Sequence, residues 1–274
     1  MLGGLHYLAL SEGIDPWSDP VAVLRQRGDW ISRFIREQGV QTNEVQRSWM
    51  LLPCFLEIAR RAGVEVLDLV ELGPSAGLNL VWDRYRYHYE VGAWGAEGAP
   101  LELSGDERRP VPRELLAQRP VVRHRRGIDL SPIDVTREED ALLLKAFVWA
   151  DQTERLERLD QAVETLRADP PKLEQGHIAD RLPAVLAERK LGALTIVFET
   201  AVLGYVGEEQ ERVVAALEAA GREFPLAFVW TARPTEDEHT FYGLWLRLWP
   251  DGEKVLLAHA GFHGQWLEWL GEPV

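Results

Sequence analysis

The chain has 274 residues, 46% hydrophobic and 27% charged, enough for one large domain with a two-layer core. Its 30 Lys+Arg against 44 Asp+Glu leave a formal charge of −14, a field that repels phosphate backbones, so nucleic acid and anionic membranes are poor partners. Cys54 is the only cysteine, which excludes an internal disulfide and a thiolate metal cluster. No stretch reads as a signal peptide or a membrane span, and a cytoplasmic location is expected.

Residues 1–63 read as helical. Asp19 is placed to cap a helix whose first residue is Pro20, with Leu24, Ile31, Phe34 and Ile35 on one face and Gly39 as the stop. A second helix is expected from Thr42-Asn43 to Gly63, with Asn43 and Gln46 at capping-box spacing and a kink at Pro53. The character changes at Val64. VEVLDLVEL reads as a buried strand, and the spacing predicts a helix after Ser75.

RYRYHYEV then alternates strictly, with Tyr85, Tyr87, Tyr89 and Val91 on one face, as in a strand exposed on its other face. The stretch 84–118, rich in Gly, Pro and charge, reads as an insertion holding a small hairpin. A short strand is expected into Gly127-Ile128-Asp129. Helical sequence follows over 138–168, where Leu156, Leu159, Val163 and Leu166 make one stripe. A weak strand near 172–177, a helix at 181–190, the strand Leu194–Glu199, a helix from 208 to 220 stopped by Gly221 and the strand Leu226–Trp230 complete the alternation. The chain closes with YGLWLRLW, a Pro250-Asp251-Gly252-Glu253 turn and KVLLAHA, a loop too short for a parallel crossover and therefore an antiparallel hairpin. This order predicts an α/β fold, a doubly wound and mostly parallel sheet with a C-terminal hairpin. It divides into an N-terminal helical subdomain (1–63) and an α/β domain (64–274).

The most informative stretch is Leu69–Leu80, LVELGPSAGLNL. A buried strand followed by a small-residue turn and a helix places a ligand at the helix N-terminus. Two chemistries share this pattern. Read from Glu71 it is an acidic, glycine-rich cofactor loop; read from Gly73 it is the Gly-x-Ser-x-Gly elbow of a serine hydrolase. For the elbow, Asp180, Asp237 or Asp251 with His259 or His263 supplies a Ser-Asp-His order. Against it stand the helical first 63 residues, the lack of a His-Gly-Gly segment and the fixed φ of Pro74 beside a nucleophile that needs an unusual backbone. A packing turn without ligand is the third reading. His259 and His263 lack a third ligand at readable spacing, so packing explains them better than a metal. Tryptophans at alternating positions, such as Trp245 and Trp249, read as layer packing. Capping explains Asn43 but not the whole quartet Gln41-Thr42-Asn43-Glu44, which is expected to cover a cofactor pocket.

ELGPSAGLNL followed by RRGIDLSPIDV resembles the first two signature segments of class I S-adenosylmethionine-dependent methyltransferases. QTNEVQRS (41–48), ELGPSAGLNLVWDRYRY (71–87), RGIDLSPIDV (126–135) and HGQWLEW (263–269) resemble, over nearly the whole chain, a bacterial domain-of-unknown-function family, inside whose pattern MLGGLHYLAL begins. The methyltransferase resemblance implies a class I methyltransferase-like fold and S-adenosylmethionine as cofactor. By that resemblance Glu71 accepts hydrogen bonds at the methionine end, and Gly73 and Gly77 let the backbone approach the cofactor. Ser75, which replaces the usual middle glycine, and Asn79 complete the loop, with Asn43 and Glu44 above it. Asp129 accepts from the ribose hydroxyls, with Glu90 as its rival, and Glu199 stands where such folds face the methyl acceptor. The expected function is methyl transfer to a small molecule, with a non-catalytic binding protein on the same fold as the alternative. The Pro-Pro-aromatic motif of enzymes that methylate nucleic-acid amines is absent after LTIVFE, which argues against DNA as acceptor.

Overall fold

The computed structural model describes residues 1–39, 43–205, 207–235 and 240–271. Among these the strands are β1 (Val66–Leu72), β2 (Arg86–Tyr89), β3 (Gly92–Trp94), β4 (Glu102–Ser104), β5 (Asp106–Arg109) and β6 (Val121–Asp129). They continue with β7 (Lys172–Gln175), β8 (Leu194–Glu199), β9 (Leu226–Ala232), β10 (Tyr242–Trp249), β11 (Lys254–Ala260) and β12 (Trp266–Trp269). The helices are α1 (Leu2–Glu12), α2 (Pro20–Glu37), α3 (Arg47–Ala62), α4 (Glu138–Ala146), α5 (Thr153–Ala168), α6 (Ile178–Ala187) and α7 (Glu209–Glu223).

One sheet runs in the order β5-β12-β11-β10-β9-β8-β1-β6-β7. From β7 to β9 every neighbouring pair is parallel, and β8 is buried at all six positions, as a strand covered on both faces must be. β9, β10, β11 and β12 then pair antiparallel in succession, so the expected C-terminal hairpin is present and extended by one more strand. Chain order runs outward from β1 in both directions, to β6 and β7 on one side and to β8 and β9 on the other. This makes β1 the switch point of a doubly wound sheet.

Two cores cover the faces. On one, Trp49, Leu52, Phe55 and Leu56 of α3 pack with Leu67 and Leu69 of β1, Trp82, and Leu159, Val163 and Leu166 of α5. On the other, Leu182 and Val185 of α6 and Val213 and Leu217 of α7 pack on Val70, Leu72, Val197 and Phe228. α1 and α2 share a separate small core of Leu5, Leu8 and Ile31.

Several expectations are corrected. After Ser75 there is no long helix, only a seven-residue 3-10 turn over Leu78–Arg84, irregular at Val81. Tyr85 and Tyr87 donate their hydroxyls to the carbonyls of Leu78 and Trp82, and that buried tyrosine face takes the chain into β2. β2, β3 and β4 form a small separate sheet, but the 84–118 stretch is tied back to the main sheet because β5 pairs with β12. α3 starts at Arg47, later than expected, because the Glu44 carboxylate takes the Gln46 N–H and pairs with Arg155. Thr42, where that start was expected, lies outside the described residues. α2 keeps its Asp19 cap, which accepts from Ala22 N, but leaves Ile35 exposed and ends at Glu37, two residues before Gly39. The helical stretch 138–168 is two helices with a break between Ala146 and Thr153. α7 runs through Gly221, where a Cβ would lie 2.4 Å from the Trp249 ring; packing, not helix termination, requires that glycine.

Candidate functional site

A cavity of about 820 Å³ opens at one end of the sheet. Its walls come from the segments just after β1 (Gly73, Pro74, Ser75), β6 (Leu130) and β8 (Thr200, Ala201, Val202), together with Glu71 and Asp129 near the ends of β1 and β6. Tyr242 at the start of β10 and Phe262 and His263 after β11 close the same end. Open α/β sheets bind ligands beyond the carboxyl ends of their strands at the switch point, and both the place and the volume suit a small molecule.

Glu71 is 2% exposed. Its Oε1 accepts from Asn79 Nδ2 at 3.4 Å, and Asn79 Oδ1 in turn accepts from Ser48 Oγ at 2.7 Å. Glu71 Oε2 is buried without a partner. Burial pushes its pKa up to about 8, with the negative charge of Asp129 adding to the shift and Asn79 and Arg47 opposing it. Asp129 sits at the end of β6 and organises the loop: Oδ2 accepts from Ser75 N and Oδ1 from Ser131 N, each at 2.8 Å. Each oxygen keeps a lone pair for another donor.

Ser75 has φ 55 and Ala201 φ 65, the left-handed region that L side chains rarely adopt, and both line the cavity. Pro74 therefore does not prevent the unusual backbone at Ser75. The partners named for a hydrolase stand elsewhere, however. Asp180 pairs with Arg212, His259 with Glu268, and Asp251 lies in the exposed β10–β11 turn; Asp237 is outside the described residues. Of those groups, only His263 lines the cavity.

Both glycines are required by the protein packed around them. A Cβ on Gly73 (φ 69) would lie 2.5 Å from Val202 Cγ2, and one on Gly77 (φ 89) 2.8 Å from Pro171 Cγ. Their collision is with protein, so turn geometry and packing require them, and Gly77 is not part of the cavity wall. Glu199 also stands outside the wall. It is fully buried, and it accepts from Val202 N, Leu203 N, Thr231 N and Thr231 Oγ1. Burial raises its pKa while those hydrogen bonds oppose the shift. It holds the β8 loop against β9 and has no face for an acceptor. Glu90 lies in the turn after β2, its N–H bound to Glu107, and is likewise not in the wall.

Asn43 and Glu44 line the cavity together with Gly73, whereas Gln41 and Thr42 lie outside the described residues. The Asn43–Glu44 segment is held from α5, where Arg155 pairs with the Glu44 carboxylate at 2.8 Å and donates to Asn43 O. Arg47, His177, Glu209, Tyr242 and His263 add to the polar wall; the sequence does not point to the first four as site residues and assigns His263 to packing. Two of them fall in motifs, Arg47 as the one cation of QTNEVQRS and His263 as the first residue of HGQWLEW, whereas His177, Glu209 and Tyr242 do not. His177 Nδ1 and Glu209 Oε1 are 3.3 Å apart. Desolvation lowers the pKa of His263, Glu44 opposing it, which favours neutral imidazole. Among the described residues no cluster of three His, Cys, Asp or Glu is arranged to hold a metal, and no helix is long and apolar enough to cross a membrane.

No curated protein matches the chain. Among solved structures, an S-adenosylmethionine-dependent methyltransferase from Clostridium acetobutylicum ATCC 824 is similar over 82% of this chain and 73% of its own, at 11% identity and a TM-score of 0.29, too low to bear on fold or ligand. The family comparison is of another order, since one family model spans residues 2–269. The chain belongs to the bacterial family described as "Uncharacterized protein conserved in bacteria (DUF2332)".

Proposed function

We propose that the cavity binds S-adenosylmethionine and that the protein transfers its methyl group to a small molecule. The observation that carries this reading is the pair of carboxylates at the ends of adjacent parallel strands. Glu71 is the penultimate residue of β1 and Asp129 the last of β6, and both line one cavity at the switch point with the Gly73–Ser75 turn. The buried, unpartnered Glu71 Oε2 is an acceptor in need of a donor, and an aminoacyl ammonium supplies one. Asp129 would take the ribose hydroxyls on its remaining lone pairs. When bound, the cofactor supplies an electrophilic methyl group on a sulfonium centre. Glu44, Glu71, Asp129 and Glu209 line the cavity, a wall suited to that positive charge.

What the chain itself contributes is position and proton transfer. Holding donor and acceptor in line supplies much of the acceleration of such a displacement. A hydroxyl or ammonium acceptor must also lose a proton. His263, at the cavity with its imidazole favoured in the neutral form, is the group placed to receive it. Titration calorimetry with S-adenosylhomocysteine tests the reading, with saturable binding expected below millimolar concentration. No binding at millimolar concentration would end it. Binding without methylated product across a small-molecule extract would leave a non-catalytic binding protein.

A further inference from the structure

Arg47 is 7% exposed, yet every acceptor it reaches is neutral. Its Nε donates to Phe262 O at 3.0 Å, and its Nη1 donates to Thr200 O and Oγ1 at 3.4 and 3.3 Å. The neighbouring carboxylates are committed elsewhere: Glu44 to Arg155 and Gln46 N, Glu199 to the backbone around it. Glu71 is the mirror case. It is a buried carboxylate with one long hydrogen bond from a neutral amide, an orphaned Oε2 and no cation bonded to it. Asn43 Nδ2 is a third buried group without a partner. All three residues line the same cavity.

A buried charge without a hydrogen-bonded counter-charge is costly, and so is a buried donor or acceptor left unpaired. A cation bonded only to neutral acceptors and a buried carboxyl bonded to no cation, both on one cavity wall, are satisfied together by a ligand that carries both signs, its ammonium displacing the carboxyl proton. We propose that Arg47, Asn43 and Glu71 form a receptor for an α-amino-acid zwitterion: Glu71 accepts from the ammonium, while Arg47 and Asn43 donate to the carboxylate. Arg47 is the new element, a specificity residue that α3 brings to the cavity lined by the loop after β1. The zwitterion has two sources, the aminoacyl end of S-adenosylmethionine or a free amino acid. Only the first source rests on the function proposed above.

The test is calorimetric titration of the full chain with three probes: S-adenosylhomocysteine, its analogue lacking only the carboxylate, and L-methionine. The receptor predicts that S-adenosylhomocysteine binds about ten-fold or more tightly than the decarboxylated analogue. Arg47→Gln should collapse that ratio. The wild-type ratio requires no variant, and Asn43→Ala, at the edge of the site, should reduce it where Arg47→Gln does not fold. Equal affinity of the two adenosyl compounds overturns the receptor while leaving cofactor binding intact. Binding of L-methionine alone, lost in Arg47→Gln, upholds the receptor with a free amino acid as ligand and removes the cofactor reading. No binding of any probe overturns both.

Discussion

Glu71 and Glu199 lie opposite each other in the register of β1 and β8, offset by one residue, and both are buried. Glu199 has four donors around it and is a structural clasp; Glu71 has one long contact and an Oε2 without a partner. Their substitutions should therefore differ. Glu199→Ala strands three backbone N–H groups at roughly 1–3 kcal/mol each, so a loss of at least about 3 kcal/mol is expected in urea unfolding, with Glu199→Gln recovering part of it. Glu71 acts through protons. Its folded pKa of about 8 lies above the ordinary 4.5, so the folded chain holds a proton that the unfolded chain releases. Stability from this group is full below that ordinary value and falls as pH rises toward 8, by up to about 1.4 kcal/mol per pH unit. Glu71→Gln should flatten that slope in unfolding curves measured across the window. An unchanged slope would show that Glu71 is already ionised. At this scale the sequence was readable where the chemistry is local: Glu71, Ser75, Asn79 and Asp129 fall in two short motifs and reach one cavity. Arg47, His177, Tyr242 and His263 come from four distant segments, and although Arg47 and His263 fall in motifs, no spacing in the chain announces that the sheet gathers the four.

At the scale of elements, periodicity found the buried strands well, β8 to the residue, because a run covered on both faces has few other solutions. It failed where a tertiary partner decides. The helix after Ser75 gives way to a 3-10 turn because Tyr85 and Tyr87 take its carbonyls. β5 and β12 are each four residues long and become strands by pairing with each other and with β11. The N-terminal helices also divide unequally. α3 lies in the main core, with Trp49, Leu51, Leu52 and Phe55 fully buried, whereas α1 and α2 meet over three fully buried apolar residues. Hydrogen exchange should find α1 and α2 opening well before α3 and β1, in a local transition that leaves the sheet protected. Exchange of all three helices with one common protection would contradict that division.

For the whole molecule, one cavity is the meeting point of the ends of β1, β6, β7 and β8 and of the segment before α3. The doubly wound sheet supplies the position, the turn from Gly73 to Ser75 part of the wall, and Glu71, Asp129 and Arg47 the ionisable groups. An ammonium at Glu71 would also expel its proton, so binding near neutral pH should release up to one proton into the buffer. Titration of the full chain with S-adenosylhomocysteine, repeated in buffers of different ionisation enthalpy, reads affinity and proton release together. Saturable binding is expected, with proton release that disappears in Glu71→Gln. Absence of binding at millimolar ligand, with the chain shown to be folded, would contradict it.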